Sequence, residues 1–373
     1  MKADAVLFEE ISTAGQQRIG VATLNAEKSL NSLTQDMIDL LSPKLAAWKA
    51  DDEIALVFLK GAGEKAFCAG GDIINLHTAM TTQPPGPDNA AEHFFCTEYR
   101  LNYTMHTYPK PIVCWGHGIV MGGGLGLMAG SSHRIATEKS RIAMPEIGIG
   151  LYPDVGGTWF LPRMPGGSGL FLGLTGASMN AGDALYTGTA DYFIESQCLP
   201  AVLAQLQEAQ WSADVTDNHE TLSRILRTLH RECRAAAPPS KIEEHIELIN
   251  DVTDHAAVEH CLTAIEAIDS DDKWLQKSIG TLKTACPVSA LICFEQYQRG
   301  LHLSLKEAFM LEWVMAVQVS RHNNFSEGIR ALLIDKDLAP KWEPATLAET
   351  PKALIDAHLT APEGYEEHPL SDL

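Results

Sequence analysis

The sequence lacks several patterns that define common enzyme classes. It contains no GxSxG and no GxxxxGK[ST] motif, which argues against a serine hydrolase with a nucleophile elbow and against a P-loop nucleotide-binding protein. It contains no HxH or HExxH spacing, and none of its 8 cysteines forms a CxxC pair. We therefore expect no metal site and no disulfide framework, and we expect the cysteines to be reduced and mostly buried.

Basic residues are scarce relative to acidic ones. The chain has 28 Lys and Arg residues against 48 Asp and Glu residues, which gives a formal net charge of −20. Because non-specific nucleic-acid binding depends on neutralising phosphates with basic side chains, we expect no nucleic-acid partner. A small anionic ligand is not excluded, since it responds to the local field rather than to the total charge.

Uninterrupted apolar runs of membrane-spanning length are also missing. The first ten residues, MKADAVLFEE, contain acidic residues where a signal peptide has an apolar stretch, so we expect a cytoplasmic protein. The run 111–130 has the length of a membrane span, but His117 and three consecutive glycines interrupt it. We interpret this run as a buried strand followed by a buried helix, and we expect no membrane partner.

The chain does contain recurring strand and helix patterns. The segments VLFEEI and RIGVATL predict a β-hairpin, and Thr34 predicts the N-cap of a helix with apolar residues at helical spacing. An apolar run at 54–59 predicts a buried strand, and residues 91–106 predict a helix. We therefore predict an α/β fold with a core at 1–200 and, because the later sequence is polar and helical in pattern, a helical C-terminal region at 201–373.

Three glycine-rich stretches combine glycine with polar residues inside apolar sequence: CAGGD, MGGGLG and MPEIGIGLYPDVGG. Consecutive glycines cost roughly 0.5–1 kcal/mol each relative to alanine within helices or strands, so they mark unusual backbone angles or close approaches. A glycine turn that leads into a helix leaves N–H groups free at its positive end, and two such groups could hold a developing oxyanion. The alternative for each stretch is a plain turn or tight packing.

Three acidic residues lie in apolar surroundings. Glu146 and Asp154 are flanked by proline and aliphatic residues, and Glu98 falls on the apolar stripe of a predicted helix. A carboxyl group in dry surroundings has a raised pKa, which suits general acid or base chemistry. The alternatives are an N-cap or a buried ion pair for Glu146 and Asp154, and a partly exposed acid for Glu98.

Three motifs resemble those of the enoyl-CoA hydratase/isomerase (crotonase) superfamily: AFCAGGDI, HGIVMGGGLGL and AMPEIGIGLYPDVGGTWFLPR. SLKEAF and FSEGIRALLIDKDLAPKW extend the resemblance over essentially the whole chain, and they are most similar to the branch that hydrolyses 3-hydroxyisobutyryl-CoA. The resemblance implies a crotonase-like spiral of β-β-α units with a helical C-terminal region. It also implies an acyl-CoA thioester substrate, with CoA as part of the substrate and no separate cofactor.

The resemblance assigns roles to single residues. The N–H groups of Gly71 and Gly123 correspond to the family's oxyanion hole. Glu146 and Asp154 correspond to the catalytic acids of the hydrolase branch, and Glu98 to a helix acid of the substrate site. The other substrate-binding positions implied by the resemblance lie in the first two glycine stretches: Phe67, Ala69, Gly70, Asp72 and Gly122.

Gly126 departs from the pattern of the hydratases. Hydratases of the superfamily carry a second catalytic glutamate at this position, where two carboxylates share the water that is added to the double bond. The pair available here is Glu146 with Asp154, which favours thioester hydrolysis, the step of valine breakdown that the hydrolase branch performs.

Two alternatives to hydrolysis stay open. One is an enoyl-CoA hydratase or isomerase, and the other is an acyl-CoA-binding protein without activity. A homo-oligomer is also open, because hydratases of the superfamily are commonly trimer-based while the longer helical tail could cover that interface.

Overall fold

A computed structural model describes residues 4–373. Its strands, in chain order, are β1 (Val6–Ser12), β2 (Arg18–Leu24), β3 (Ile54–Gly61), β4 (Ala66–Cys68), β5 (Ile112–Gly116), β6 (Ile119–Met121), β7 (His133–Ala136), β8 (Arg141–Ala143) and β9 (Tyr192–Phe193).

Helices account for most of the remaining regular structure. The first seven α-helices are α1 (Gln35–Ala50), α2 (Ile73–Thr82), α3 (Ala90–His106), α4 (Gly123–Ala129), α5 (Gly157–Phe160), α6 (Ser168–Thr175) and α7 (Ala181–Thr187). The later ones are α8 (Leu199–Glu208), α9 (Val215–Cys233), α10 (Lys241–Glu244), α11 (Ile246–Thr253), α12 (Val258–Glu266), α13 (Lys273–Leu282), α14 (Pro287–Gly300), α15 (Leu305–Arg321), α16 (Asn323–Ile329) and α17 (Lys352–His358). A π-helical turn, Arg330–Ile334, follows α16.

The described chain forms two compact units, each built from three segments. The sheet unit runs from the start of the described chain to Gly71 and includes Thr104–Ile142 and Met179–Glu243. The helical unit contains Asp72–Tyr103, Ala143–Ser178 and Glu244–Leu373. Every described element after β9 is helical. The predicted boundary near residue 200 coincides with the end of the strands. That it separates two domains stays a prediction.

A six-stranded sheet forms the core of the sheet unit, in the order β1-β2-β3-β5-β7-β9. The predicted hairpin is confirmed, since β1 and β2 pair antiparallel from Val6 opposite Leu24 to Ser12 opposite Arg18. The other neighbours pair parallel, and β3 is buried along nearly all its length. An apolar run without alternation therefore marks this strand correctly, because parallel strands are covered on both faces.

Helix α1 begins where the sequence predicts. The Thr34 hydroxyl accepts a hydrogen bond from the Met37 N–H at 3.2 Å, which satisfies one of the unpaired donors of the first turn. The apolar residues at helical spacing are buried: Met37, Ile38, Leu41, Leu45 and Trp48. The helix ends at Ala50, before the acidic pair 51–52.

A small sheet, β4-β6-β8, accompanies the larger one and leads into α4. The backbone of α4 approaches β4 so closely that a Cβ on Gly124 would lie 2.2 Å from the Cys68 carbonyl oxygen. Gly122, which precedes the helix, has φ +47°, a conformation that side chains disfavour. The glycine triplet therefore serves both a turn and a close approach, and the predicted strand, turn and helix are confirmed.

In the helical unit, α16 packs against the short 3-10 turn Glu146–Ile149. A Cβ on Gly328 would lie 2.3 Å from the Ile149 carbonyl oxygen. The C-terminal segment that carries Gly328 thus holds the turn that presents Glu146.

The structure also bears on the cysteines and on the apolar character of the helices. All eight cysteines are free, and six of them are buried. No helix within residues 4–373 combines the length and the apolar character that a membrane crossing requires.

Candidate active site

Two glycine loops of the sheet unit adjoin each other. The first contains Gly70, which has φ +113°, and a Cβ on it would lie 3.5 Å from the Met121 carbonyl oxygen. The second begins α4 and contacts Cys68 through Gly124. The residues between these contacts, Gly71 and Gly123, are the two predicted oxyanion donors.

The N–H groups of these two glycines are placed differently. Gly123 is the first residue of α4, so its N–H has no acceptor within the helix. Gly71 forms a parallel bridge with Leu33, in which the Leu33 N–H donates to the Gly70 carbonyl at 2.8 Å. This hydrogen bond does not involve the Gly71 N–H. The first position of a helix suits a donor for a ligand oxygen, whereas the role of the Gly71 N–H stays a prediction.

The other predicted substrate-binding residues of the first loop have structural partners. The Phe67 side chain is fully buried, and its N–H donates to the His117 carbonyl at 2.8 Å. The Ala69 N–H donates to the Leu30 carbonyl at 3.1 Å. Asp72, in the helical unit, is the N-cap of α2. These contacts fix the course of the loop, so its predicted role in binding CoA stays a prediction.

Glu146 opens the 3-10 turn of the helical unit and is almost fully buried. Its Oε2 atom has no hydrogen-bond partner among residues 4–373. Burial, followed by the charge of Asp154, holds the pKa of this carboxyl well above its usual range. A buried carboxyl with an unsatisfied oxygen is costly unless a ligand or reactant uses it, which makes Glu146 a candidate functional group.

Asp154 is buried at the start of a strained turn. The Tyr99 hydroxyl donates to Asp154 Oδ2 at 2.7 Å. Burial raises the pKa of Asp154 to about 6, while the Tyr99 hydrogen bond acts in the opposite direction. The next two residues, Val155 and Gly156, have φ +51° and +98°. A β-branched residue in this region costs about 1–3 kcal/mol, and such strain is typical of functional sites.

Glu98 is buried on α3, with 2% of its surface exposed, which rules out the partly exposed alternative. Its Oε1 atom has no hydrogen-bond partner in the described chain. Burial, followed by the charges of Asp154, Glu146 and Glu312, holds its pKa well above the usual range. A carboxyl with a raised pKa keeps its proton to higher pH, and a protonated carboxyl can donate a hydrogen bond.

The helical unit thus brings together the three acids that the sequence singles out. Burial, followed by the charge of Asp154, raises the pKa values of Glu98 and Glu146, so the three acids titrate as a set. Groups of this kind can accept a proton from water and return one to a leaving group.

Sequence reasoning missed two residues of this cluster. Tyr99 has the sequence pattern of a helix-packing aromatic, yet its hydroxyl donates a hydrogen bond to Asp154. Glu312 lies in the middle of α15, fully buried, and its carboxylate accepts hydrogen bonds from the N–H groups of Gly156 and Thr158, each at 2.8 Å. The apolar stretch FMLEWVMA around Glu312 is the same signal that identifies Glu98, an acid on an apolar helix face.

Two other features of the helical unit do not involve these acids. One is a group of three possible metal ligands, Glu244, His245 and Asp272, whose ligand atoms lie within 4.8 Å of one another. Asp272 already caps α13, and one of its carboxylate oxygens lies 3.5 Å from His245 Nε2.

The other is a surface cavity of about 420 Å³, bordered by Leu282, Trp342 and their neighbours, which is not lined by Glu98, Glu146 or Asp154.

Comparison with known proteins identifies the family. Residues 19–359 match the model of the enoyl-CoA hydratase/isomerase family, and the chain belongs to this family. It is also similar to a solved structure described as an enoyl-CoA hydratase from Rhodobacter sphaeroides 2.4.1, at 32% identity and a TM-score of 0.82, covering 96% of this chain and 97% of the other. The predicted crotonase-type α/β fold is confirmed.

The particular proteins that the chain resembles more strongly in sequence are hydrolases. It is 40% identical to the mitochondrial 3-hydroxyisobutyryl-CoA hydrolase of Danio rerio, over 94% of this chain and 88% of the relative. It is 38% identical to the protein of the same name from Homo sapiens, over 94% of this chain and 88% of that relative. The resemblance to the hydrolase branch is confirmed. The expected cytoplasmic location is wrong by this comparison, since both relatives are named mitochondrial.

Proposed function

We propose that this protein hydrolyses 3-hydroxyisobutyryl-CoA to 3-hydroxyisobutyrate and free CoA, a step of valine breakdown. The observation that carries the proposal is the pairing of Glu146 and Asp154 in one buried cluster, where burial, followed by the charge of Asp154, raises the pKa of Glu146. The names of the hydrolase relatives support the same reaction.

The proposed electrophilic assistance comes from backbone N–H groups. The thioester carbonyl oxygen accepts hydrogen bonds from Gly71 and Gly123 and gains negative charge when the carbonyl carbon is attacked. Loss of one such donor typically costs about 2.7–4 kcal/mol of transition-state stabilisation. The absence of an acceptor for Gly123 within α4 supports this role.

Glu146 is the proposed group that begins the reaction, by one of two routes. It removes a proton from water, which attacks the carbonyl carbon, or its carboxylate attacks directly and forms a mixed anhydride that water then cleaves. In both routes the C–S bond breaks, the sulfur leaves as a thiolate and receives a proton, and the acyl group leaves as a carboxylic acid. The unpartnered Oε2 atom of Glu146 supports either route.

Asp154 and Glu98 have proposed supporting roles. Asp154 orients the 3-hydroxyl group of the substrate or the attacking water, and it assists proton transfer to the leaving thiolate. Burial is the main cause of the raised pKa of Glu98. In its protonated form, Glu98 donates a hydrogen bond to the same part of the substrate that Asp154 orients.

Hydration of an enoyl-CoA is the second candidate, favoured by the description of the Rhodobacter sphaeroides relative. Position 126 argues against it. Gly126 is a buried residue within α4, so the chain supplies no carboxylate there to share a water with Glu146.

A thiol-reactive dye and a panel of acyl-CoAs test the proposal. We expect thiol release from 3-hydroxyisobutyryl-CoA, with 3-hydroxypropionyl-CoA as a weaker substrate because one methyl group contributes only about 1–3 kcal/mol. Loss of enone absorbance from an enoyl-CoA without thiol release identifies a hydratase. Binding of acyl-CoA without either signal identifies a silent binding protein, and both of these results contradict the proposal.

The variant Glu146→Ala completes this test. We expect it to lower kcat by about 10²–10⁴-fold, the usual contribution of a general base, while CoA binds with unchanged affinity. Near-normal thiol release by this variant contradicts the role of Glu146.

Self-association is a separate proposal, which sedimentation at several protein concentrations tests.

A further inference from the structure

The turn after Asp154 adopts a backbone conformation that its own residues do not favour. Val155 is β-branched and fully buried, yet its φ angle is positive, and Gly156 continues in the left-handed region. An isolated turn of this sequence would relax at Val155 and carry the neighbouring Asp154 carboxylate with it. Other parts of the helical unit must therefore hold the turn in place.

The carboxylate of Glu312 holds the turn on its C-terminal side. Its Oε2 atom accepts from the Gly156 N–H and its Oε1 atom from the Thr158 N–H, each at 2.8 Å. Glu312 is itself fixed, because it lies within α15 and its backbone carbonyl accepts a hydrogen bond from the Tyr152 hydroxyl at 2.5 Å. One rigid side chain thus binds two backbone donors on either side of Gly157.

Two further side chains hold the other end of the same turn. The Gln296 amide donates to the Pro153 carbonyl, and the Tyr99 hydroxyl donates to Asp154 Oδ2 at 2.7 Å. The Asp154 carboxylate is thus fixed by its own hydrogen bond and by anchors before and after it in the chain. Glu312 is fully buried, so water does not replace its carboxylate as the acceptor for the Gly156 and Thr158 N–H groups.

We infer that Glu312 is a positioning residue for hydrolysis: its carboxylate clamps the N–H groups of Gly156 and Thr158 and thereby holds Asp154 in its reactive position. The inference rests on the proposed function, because it assigns a purpose to the position of Asp154. Glu312 acts through the turn and has no proposed contact with the substrate.

Two opposing effects act on the pKa of Glu312. Burial raises the pKa of its carboxyl to about 8, and the hydrogen bonds from Gly156 and Thr158 oppose this increase. A carboxylate accepts on both oxygens, whereas an amide has one acceptor oxygen and an NH₂ group that donates. Replacement by glutamine therefore turns one of the two hydrogen bonds into a contact between two donors.

The first variant is Glu312→Gln, assayed by thiol release from 3-hydroxyisobutyryl-CoA. We expect kcat to fall by about ten- to a hundredfold, which is the effect of losing one hydrogen bond to a charged group, with KM within about threefold of the wild type. A kcat within about threefold of the wild type overturns the inference.

Rescue at Val155 separates positioning from general stability. In the Glu312→Gln background, Val155→Gly makes the left-handed conformation easy to adopt, whereas Val155→Ala removes nearly as much packing and leaves it unfavourable. We expect the glycine to restore kcat at least about threefold over the alanine, although both lower the melting temperature. Equal activity of the two double variants overturns the inference.

Glu92→Gln is the matched control. Glu92 is another buried carboxylate of the helical unit, and it accepts hydrogen bonds from Arg321, from the Tyr365 hydroxyl and from the Gly86 N–H. We expect this variant to lose stability while the folded enzyme keeps its kcat. If it loses kcat as Glu312→Gln does, the effect is structural and the inference is wrong.

Two outcomes keep the inference and the proposed function distinguishable. A wild-type protein that releases no thiol contradicts the proposed function, whereas an active wild type with an unaffected Glu312→Gln variant contradicts only the inference. If Glu312→Gln does not fold, Tyr152→Phe applies the same test more mildly, because it frees the backbone of Glu312. In that variant, an unchanged kcat overturns the inference.

Discussion

The Tyr99 hydroxyl donates a 2.7 Å hydrogen bond to Asp154 Oδ2, and both residues are buried in the helical unit. Tyr99 directly follows Glu98 on α3, so this one helix contributes an acid to the cluster and fixes the position of a second. The bond favours the ionised form of Asp154 and opposes the effect of burial on its pKa.

Removing the Tyr99 hydroxyl should impair turnover more than stability. For Tyr99→Phe we expect kcat to fall about tenfold, since a hydrogen bond to a charged group contributes about 1.5–3 kcal/mol. Steady-state thiol release measures the effect. Tyr108→Phe, which removes a buried hydroxyl bonded to the Leu45 carbonyl in the sheet unit, is the control and should leave kcat unchanged. Equal losses in the two variants would contradict a specific role for Tyr99.

Asp154→Asn should move the pH dependence of the residual activity. Glu146 must be ionised to act as a base or nucleophile, and the charge of Asp154 raises its pKa. Removing that charge lowers the pKa of Glu146, so the acid limb of kcat/KM should move to lower pH while the maximal rate falls. The profile is measured by thiol release from pH 4.5 to 8. A limb that moves to higher pH, or stays fixed, contradicts the coupling of the two carboxyls.

The same substitution should change how stability depends on pH. The folded-state pKa of Asp154, about 6, lies above its ordinary value of 3.8. The raised pKa means that the folded state binds the proton more tightly, so the stability that Asp154 contributes is fully present below pH 4 and is lost as the pH rises through 6. The loss is roughly 2–3 kcal/mol from this residue. Denaturant unfolding should show a smaller decline between pH 4 and 7 for Asp154→Asn, and an equal decline in both proteins contradicts the prediction.

Gly124→Ala should destabilise the sheet unit strongly. Its Cβ would lie 2.2 Å from the Cys68 carbonyl oxygen, so backbone must shift, and overpacking of this kind costs typically 1–3 kcal/mol. Gly148→Ala is the control, because no atom lies within 4 Å of its Cβ. Thermal unfolding of the two variants measures the difference. A Gly124→Ala protein as stable as the control would show that α4 does not approach β4 this closely.

Local features of the fold could be predicted because local chemistry determines them. The hairpin of β1 and β2, the Thr34 cap and the glycine turn before α4 each depend on residues close together in the chain. The acids Glu98, Glu146 and Asp154 could be singled out because a charged residue in an apolar pattern is unusual, whatever the fold.

The partners of those acids could not be predicted. Glu312 lies 156 residues beyond Gly156 in the chain, and no periodicity connects an acid of α15 with the backbone of a distant turn. Tyr99 had the pattern of a packing aromatic, and only the position of its hydroxyl distinguishes it. Hydrogen bonds of this range depend on the packing of several elements at once.

The sequence by itself therefore determined which acidic residues stand out in apolar surroundings and, through Gly126 and the second acid Asp154, which branch of the family the chain resembles. The tertiary structure decided the pKa values and the positions of these residues. Burial in the helical unit raises the pKa values of the acids, and contacts across long stretches of chain hold Asp154 beside a strained valine. Both effects arise from desolvation and long-range packing, which a linear pattern does not encode.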